Sequence, residues 1–471
     1  LCWFVAFILS LAACGHLILQ VWDKWDQRPV IVSFAEQSTP LWQVPFPAIT
    51  ICSETKTQRN VVNFTQLLLK SASPPWIMAP EERSQLGKMS LLCDLQHYRR
   101  GEKFINDSVI HFFEEVGPPF QEVLYTAKWK SKMTNPKSLF SPLLTEEGVC
   151  YTFNMLEASE MFTQEYHNAG NFLNHGNSSP QWTLDEGYTS GAGVDVYPIR
   201  ALGSGAKAGI TLVMSAKSDD LDYLCMGPVQ GFKVLLHNPA EMPRVREQYL
   251  RVPLNQELVV RMIPSMMTTS EGLREYSPHR RQCYFPSERQ LRFFKVYTQS
   301  NCALECLTNF TMHLCNCVAF HMPRNENMPI CGSGSIDCMN KARDMLLLKE
   351  VEQGMLQYDT QGNSLSDCDC LQACTVLDYD SETSQADLDW RVFLPVKALN
   401  LNSSGLNIAR LSVFFKDMQF ITSQRTNCGG LLGLFMGFSI LSLFEIVYYL
   451  TLRICCAYNW TKNNVHLLHN Y

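Results

Sequence analysis

The sequence predicts an α+β membrane protein in which two transmembrane helices flank a large, disulfide-rich extracellular domain. The evidence is an apolar run at each end of the chain, roughly 400 residues between the runs, which exceeds one ordinary core, and 19 cysteines among 471 residues. About 20 apolar residues suffice to cross a bilayer, and many cysteines indicate an oxidising compartment, because disulfides persist there. The predicted parts are a first transmembrane helix at residues 1–22, an extracellular domain at 23–428, a second transmembrane helix at 429–452 and a cytoplasmic tail at 453–471.

The first apolar run, residues 1–21, contains His16 as its only chargeable side chain. Trp22 and Trp25 follow it, which is typical of the aromatic belt at a membrane interface. A cleaved signal peptide is the alternative, because the small residues at 11–14 also suit a processing site. The chain begins with leucine rather than methionine, so we interpret it as a fragment that lacks its N-terminal tail.

The second apolar run carries glycines four residues apart, at Gly429, Gly433 and Gly437, and one acid, Glu445. Glycines at this spacing let helix backbones approach closely. An ionisable side chain inside a membrane is costly and usually lines a water-filled path. Together these features favour a pore-lining helix over a plain anchor. A glycine face used only for helix packing is the alternative.

Basic residues follow the second run, at Arg453 and Lys462, and basic flanks favour the cytoplasmic side. With the C-terminus inside and the cysteine-rich middle outside, the N-terminus must also lie inside. The sequence therefore predicts a two-pass plasma-membrane protein with both termini in the cytoplasm. Cys455 and Cys456 are either plain flanking residues, which we favour, or palmitoylation sites.

The composition between the two runs fits an extracellular domain. Asn-x-Ser/Thr sequons predict N-glycosylation at Asn63, Asn106, Asn177, Asn309 and Asn402. A formal net charge of −6 gives no reason to expect nucleic acid as a partner. A mildly acidic domain would concentrate cations near a pore mouth.

Several segments of the middle region are rich in β-branched and aromatic residues and predict strands. They lie at residues 29–34, 46–52, 148–154, 209–214, 231–237 and 410–421. The last of them leads towards the second apolar run and would transmit motion to it. Residues 166–205 are rich in Gly, Asn, Ser and Thr, and predict a loop with weak strands.

The densest cysteine region spans residues 283–374. Cys302 and Cys306 lie four residues apart, so both can face one way on a helix. The cysteines at 368–374 can oppose them from a second element. We interpret the region as a helical pair stapled by disulfides, because this spacing without paired histidines fits structural zinc poorly.

Three carboxylates follow the cysteine region, at Asp378, Asp380 and Glu382. They either form a proton-sensing cluster, by raising one another's pKa, or belong to a solvated acidic loop. We favour the loop.

Four features, taken in order along the chain, carry a family resemblance. They are Phe46-Pro-Ala-Ile-Thr-Ile-Cys52, Gly148-Val-Cys-Tyr-Thr-Phe-Asn154, the cysteine block with Cys315-Asn-Cys317 and His321-Met-Pro323, and the glycine-rich second span with Gly437-Phe-Ser439. Together they resemble the epithelial sodium channel/degenerin family. Arg281-x-Cys283-x-Phe285-x-x-Glu288 and Cys368-x-Cys370 look most like its insect pickpocket branch.

This resemblance implies a trimeric, sodium-selective, amiloride-blocked channel whose subunits are shaped like a clenched hand, with palm, finger, knuckle, thumb and β-ball. Residues 283–374 would form the thumb. The implied partners are membrane lipid, permeant Na⁺ and family subunits in a homo- or heterotrimer, with no cofactor. The implied disulfides are Cys52–Cys150, Cys283–Cys374, Cys302–Cys370, Cys306–Cys368, Cys315–Cys338 and Cys317–Cys331. Cys93 and Cys225 are then left outside the membrane, and we expect them to pair.

The family's Gly-x-Ser selectivity position falls on Gly437, Phe438 and Ser439. Three chains that meet on one axis need small residues there, and an unwound turn would expose carbonyls to replace sodium's water shell. Phe438 stands where vertebrate members carry a small residue. In an extended turn its side chain packs behind the filter, whereas in a helix it shares a face with Leu434, Leu441 and Glu445 and crowds the pore.

The resemblance assigns further roles along the same segment. Leu434 matches the closed gate, where an apolar ring blocks ions by dewetting, and Glu445 matches an acid of the inner pore. Thr426 lies near the degenerin position, at which bulky substitutions hold such channels open. The predicted gate and pore-lining residues are Gly430, Gly433, Leu434, Leu441 and Glu445.

Two other functions compete with a channel. A non-conducting two-pass receptor or adhesion protein would have the same ectodomain but would not need the glycines and the acid of the second run. An ectoenzyme is disfavoured, because the sequence contains no nucleophile elbow and no HExxH zinc motif. The sequence does not indicate which stimulus would open a channel, and it identifies no extracellular ligand.

Overall fold

The computed structural model describes residues 30–72, 78–93, 101–170, 172–174, 176–356, 368–390 and 405–427. It also describes isolated positions between 5 and 23, which are helical, and positions 445, 448 and 449. Within these ranges the chain is a mixed α/β protein with seven disulfides.

The strands of the described residues vary from two to fourteen residues in length. In chain order they are β1 (Val30–Phe34), β2 (Thr39–Pro40), β3 (Ala48–Ser53), β4 (Phe104–Ile105), β5 (Leu124–Trp129), β6 (Lys132–Thr134), β7 (Phe140–Thr145), β8 (Gly148–Phe153), β9 (Trp182–Thr183), β10 (Gly187–Tyr188), β11 (Ile210–Lys217), β12 (Gly231–His237), β13 (Leu250–Pro253), β14 (Gln256–Thr269), β15 (Cys283–Tyr284), β16 (Ile330–Cys331), β17 (Gln372–Ala373), β18 (Val376–Asp387), β19 (Leu406–Phe415), β20 (Gln419–Phe420) and β21 (Ser423–Asn427).

The helices of the described residues are mostly short, and two of them exceed ten residues. They are α1 (Phe64–Ser71), α2 (Pro80–Met89), α3 (Ser108–Val116), α4 (Phe120–Val123), α5 (Ala158–Met161), α6 (Tyr223–Met226), α7 (Pro278–Arg281), α8 (Gln299–Cys315) and α9 (Ile336–Leu356).

The chain divides into two units. The smaller unit comprises Leu1–Ser33, Thr269–Gln282 and Gln424–Tyr471, and the larger comprises Phe34–Thr268 and Cys283–Ser423. In the smaller unit β1 and β21 are neighbouring strands, and Ser270 N donates a hydrogen bond of 2.9 Å to Arg425 O.

The larger unit contains one sheet with the strand order β18-β14-β19-β11-β5-β6. Its pairs are antiparallel except β14 with β19, which is parallel. Leu258, Val260 and Met262 of β14 are buried, and Arg261 between them is exposed. This alternation is the signature of a strand with one face on a core.

A second, antiparallel sheet of the larger unit has the order β13-β12-β3-β8-β7. All six residues of β3 are at least partly buried, which explains its nearly continuous apolar sequence. Cys52 and Cys150, on the adjacent strands β3 and β8, form a disulfide across this sheet.

The main hydrophobic core of the larger unit surrounds Phe46, which is fully buried. Its ring lies 5.0 Å from that of Trp129 and 5.2 Å from that of Phe415, both edge to face. Truncation of such a side chain to alanine typically costs about 3–5 kcal/mol. The apolar Phe46–Cys52 segment therefore serves as a structural anchor.

Most of the strands predicted from composition are confirmed. The segments predicted at 46–52, 148–154, 209–214 and 231–237 correspond to β3, β8, β11 and β12, with shifts of a few residues at their ends. Among the described residues of 166–205, the strands are the two-residue β9 and β10, in agreement with the prediction of a loop with weak strands.

The strand predicted at 410–421 is wrong as a single element. Strand β19 ends at Phe415, and Lys416 N donates to Met262 O at the end of the β14 pairing. The chain then bends away and pairs with β2, where Leu41 N donates to Met418 O. Because its backbone hydrogen bonds go first to β14 and then to β2, the predicted segment forms two separate strands, β19 and β20.

Candidate functional site

The predicted pore falls almost entirely outside the described residues. This applies to Gly430, Gly433, Leu434, Gly437, Phe438, Ser439 and Leu441. Glu445 is described, and it is helical and exposed. In the part of the chain that the structure describes, no helix has both the length and the apolar character needed to cross a membrane.

The strand that precedes the second apolar run, β21, contains the predicted degenerin position. Thr426 is half-buried on this strand. Its neighbour Arg425 is buried, and burial lowers the pKa of the guanidinium. The hydrogen bond from Ser270 N to Arg425 O fixes β21 one residue before Thr426. Thr426 therefore lies on an ordered strand rather than in a loop.

The cysteine-rich region contains the predicted helix at Cys302 and Cys306, but its helical partner is α9, whereas residues 368–374, expected as the second element, form the short strand β17 and irregular chain. Helix α8 begins at the cap residue Thr298, whose Oγ1 accepts from Asn301 N at 3.1 Å, and ends at Asn316 in a left-handed conformation. Cys315 at the end of α8 is bonded to Cys338 in the first turn of α9. This bond fixes the junction between the two helices.

The disulfides of the structure are the seven pairs named from the sequence. They are Cys52–Cys150, Cys93–Cys225, Cys283–Cys374, Cys302–Cys370, Cys306–Cys368, Cys315–Cys338 and Cys317–Cys331.

The sequons differ in their surroundings. Asn106, Asn177 and Asn309 are exposed. Asn63 is half-buried at the start of α1, where its Oδ1 accepts from Gln66 N at 3.0 Å. Asn402 lies outside the described residues.

A cleft of about 430 Å³ in the larger unit is lined by the acids Glu241, Glu247 and Asp378, by Arg244 and by neutral polar side chains. We call it the carboxyl cleft and define it by Glu241, Thr298, Gln299, Gln372, Asp378 and Tyr379. The Thr298 hydroxyl donates to the Glu241 carboxylate. Among the described residues, no three His, Cys, Asp or Glu side chains are grouped so that they could hold a metal ion.

The Glu241 carboxyl exchanges its proton near neutral pH. Burial raises its pKa from 4.5 to about 7, the negative charge of Asp378 adds to the rise, and the Thr298 hydrogen bond opposes it. Partial desolvation and the charge of Asp380 likewise raise the pKa of Asp378. The negative charge of Asp378 therefore favours the protonated form of Glu241.

The acidic loop expected at Asp378, Asp380 and Glu382 is wrong. All three residues lie on strand β18, which is hydrogen-bonded to β14. Because side chains alternate along a strand, residues two apart share one face. Glu382 pairs with Lys416 at 2.8 Å, and Asp378 instead reaches the carboxyl cleft. Glu382 is therefore engaged elsewhere, whereas Asp380 still raises the pKa of Asp378.

His237 also lines the cleft but does not titrate near neutral pH. It is buried, and Nε2 lies 2.9 Å from Thr50 Oγ1. Burial lowers its pKa to about 4, so the imidazole is neutral. This leaves the carboxyls as the groups of the cleft that respond to acid.

A second carboxyl site, the Glu147 cluster, is defined by Glu147, Lys56, Lys233 and Arg246. The Glu147 carboxylate lies 2.6 Å from Lys56 Nζ, 2.8 Å from Lys233 Nζ and 3.2 Å from Arg246 Nε. Burial opposes its ionisation, but the charges of the three cations outweigh burial and lower its pKa far below the usual range. This glutamate stays ionised at every physiological pH.

Glu241 was not among the residues singled out from the sequence. Its functional partner Asp378 lies more than a hundred residues further along the chain, and the two meet only when β12 and β18 are in place. No local motif marks either residue.

The chain matches one family model, described as amiloride-sensitive sodium channel, over residues 1–449. It is 28% identical to Pickpocket protein 28 of Drosophila melanogaster over 96% of this chain and 74% of that protein. It is 22% identical to Sodium channel protein Nach of Drosophila melanogaster, over 95% and 81% of the two chains. It is also 22% identical to Acid-sensing ion channel 1 of Gallus gallus, over 98% and 82%.

These matches agree with the motifs in residues 46–52, 148–154 and 283–374 and with the disulfide-rich α/β fold described above. The family consists of ion channels rather than enzymes. The chain belongs to the amiloride-sensitive sodium channel family.

Proposed function

We propose that the chain is a subunit of a trimeric, sodium-selective, amiloride-sensitive channel in the plasma membrane. The subunit spans the membrane twice, through residues 1–22 and 429–452, and keeps both termini in the cytoplasm. The cysteine-rich larger unit is then extracellular.

One observation carries the proposal: a single family model extends over residues 1–449. It includes the first apolar run, most of the second and everything between them, so the match is not confined to a shared ectodomain. Relatives of similar extent carry names of sodium and acid-sensing channels.

In the proposed pore, three copies of residues 429–452 surround one axis. The small residues Gly437 and Ser439 form the narrowest ring, and their backbone carbonyls replace part of the hydration shell of Na⁺. Phe438 lies between them in an extended turn and packs behind the ring. Three Glu445 carboxylates raise the cation concentration in the inner pore, and Leu434 closes the pore by dewetting.

Strand β21 is the proposed link between the ectodomain and the pore. It contains Thr426 and is separated from Gly429 by a single residue, Cys428. A movement of this strand therefore reaches the second span without a flexible linker. Bulky substitutions at Thr426 are expected to hold the pore open.

The experiment is voltage-clamp recording from cells that express the full chain, with surface labelling to count the subunits. We expect an inward sodium current that amiloride blocks. Gly437→Leu should abolish it, because the larger side chains fill the narrowest ring. Glu445→Leu should reduce the single-channel current. Ile446→Leu is the matched control in the same segment and should leave the current unchanged.

A non-conducting receptor or adhesion protein predicts a different result. For a plain anchor, Gly437→Leu and Glu445→Leu are both harmless. If a current is present and neither substitution changes it, these residues do not line the pore. If correctly assembled surface trimers carry no current under any stimulus, the receptor function is supported instead.

Protons are a candidate for the stimulus that opens the channel, and the carboxyl cleft favours them. The pKa of Glu241, about 7, lies within the range of mild acidification outside cells. Protonation there removes the repulsion between Glu241 and Asp378. A channel that responds through this cleft should lose its acid response in Glu241→Gln.

A further inference from the structure

A cleft of about 260 Å³ in the larger unit lies beside one of the predicted glycosylation sites. Its lining includes Asn63, the first residue of the sequon Asn63-Phe64-Thr65, and the segment Asp219–Leu224. We call it the Asn63 cleft, and it shares no lining residue with the carboxyl cleft. Ligand pockets typically measure about 300–1,000 Å³, so this cleft suits a single sugar residue rather than an extended ligand.

Hydrogen bonds join the segment Asp219–Leu224 to the chain around the sequon. The Asp222 carboxylate accepts from Thr65 N at 3.1 Å and from Thr65 Oγ1 at 2.8 Å. Asp220 Oδ1 accepts from Arg59 N at 2.8 Å. These bonds fix the segment next to the start of helix α1, where a group attached to Asn63 can contact it.

The side-chain amide of Asn63 is oriented by the helix that it caps. Its Oδ1 accepts from Gln66 N at 3.0 Å, as the N-cap of α1. Among the described residues, Asn63 Nδ2 donates no hydrogen bond, and this atom retains contact with solvent. Nδ2 is the atom that carries the sugar of an N-glycan. The cap therefore fixes the amide and leaves the position of attachment available.

The segment Asp219–Leu224 presents the groups that bind sugars. Tyr223 and Leu224 line the cleft but are 55% and 38% exposed. The negative face of a tyrosine ring attracts the polarised C–H groups of a pyranose. Within the described residues the Asp219 side chain accepts no hydrogen bond, and a single oxygen of Asp220 is engaged. The remaining carboxylate oxygens can accept from sugar hydroxyls.

We propose that the Asn63 cleft binds the first N-acetylglucosamine residue of a glycan attached to Asn63. Attachment forms a bond from Nδ2 to the anomeric carbon of the sugar; Nδ2 loses one proton, and the pyrophosphate of the lipid-linked donor is the leaving group. The sugar then packs on the Tyr223 ring, and its hydroxyls donate to Asp219 and Asp220. The glycan thereby ties helix α1 to the segment Asp219–Leu224. The inference rests on the extracellular placement of the larger unit in the proposed function.

The first test asks whether Asn63 is modified in the full chain purified from cells that add N-glycans. Mass spectrometry of the glycopeptides should find Asn63 occupied. An unmodified Asn63 in a chain whose exposed sequons carry glycans would overturn the inference and leave the proposed topology standing. The absence of glycan from every sequon would contradict both, because the larger unit would then not be extracellular.

The second test measures the thermal midpoint of the purified full chain. Asn63→Ser removes the glycan but supplies a hydroxyl that still caps α1 and adds no charge. We expect the midpoint to fall by ~2 °C, because the contacts of the sugar with the cleft are lost. Asn309→Ser, at an exposed sequon on helix α8, is the matched control and should leave the midpoint unchanged.

The third test is a double-substitution cycle, which separates a sugar bound in the cleft from one that projects into solvent. Tyr223→Ser should lower the midpoint by ~2 °C when Asn63 carries its glycan, because the sugar loses the ring on which it packs. In the Asn63→Ser background it should have no further effect. Equal effects of Tyr223→Ser with and without the glycan, or no effect of either substitution, would overturn the proposal.

Discussion

Glu147 and Glu241 are both largely desolvated, yet their pKa values shift in opposite directions from the ordinary value of a glutamate. Three cations surround Glu147 and lower its pKa, whereas burial and the negative charge of Asp378 raise the pKa of Glu241 to about 7. Burial alone raises the pKa of any carboxyl. The sign of the neighbouring charge therefore decides which site is a fixed structural ion pair and which one can respond to pH.

The largest expected effect is a loss of stability when the Glu147 cluster loses its carboxylate. Glu147→Gln leaves Lys56, Lys233 and Arg246 without their common anion, and removal of one partner from a buried ion pair typically costs about 3–5 kcal/mol. We expect a lower thermal midpoint for the purified chain and less folded protein at the cell surface. Glu115→Gln, an exposed acid, is the control. If the two variants were equally stable, the Glu147 cluster would not be a structural element.

The pH dependence of Glu241 is the next largest effect. Its pKa is about 7 in the folded state and 4.5 in the ordinary state, so the folded chain binds this proton more tightly. That stabilisation is complete below about pH 4.5 and is lost as the pH rises through about 7. Glu241→Gln is neutral throughout and avoids the loss.

The measurement is the difference in thermal midpoint between Glu241→Gln and the unmodified chain at about pH 5 and about pH 8. We expect the variant's relative stability to increase with pH. An identical difference at both pH values would show that Glu241 does not titrate in this range.

The smallest expected effect distinguishes the role of Asp378 from that of the other acids on β18. Asp378→Asn removes the negative charge next to Glu241, so the pKa of Glu241 should fall and the pH dependence should move to lower pH. Glu382→Gln breaks only an exposed pair with Lys416 and should leave the pH dependence in place. A shift of equal size in both variants would mean that all the acids of β18 act as one cluster.

Local patterns in the sequence were sufficient for part of the fold. Alternating or continuous apolar residues predicted β3, β8, β11 and β12, because the pattern of apolar side chains along a strand indicates which of its faces are buried. The helical spacing of Cys302 and Cys306 predicted α8 in the same way. The cysteine pairs named from the family resemblance are also those in the structure.

The charged sites were not predictable by the same means. Lys56 and Glu147 are 91 residues apart, and neither stands in a recognisable motif. Asp378 and Asp380 looked like a loop because polar residues fill β18, an edge strand with little apolar surface to bury. A single sequence does not show which distant side chains lie close together in the fold. In these two sites, the charges of such distant residues determine the direction in which the carboxyl pKa shifts.

The sodium conductance is tested most directly by bi-ionic reversal potentials in cells that express the full chain. With sodium outside and potassium inside, we expect a positive reversal potential for the amiloride-blocked current, and its loss in Gly437→Leu while surface trimers persist. A reversal potential near zero, or one that Gly437→Leu leaves unchanged, would contradict a sodium-selective ring at Gly437–Ser439.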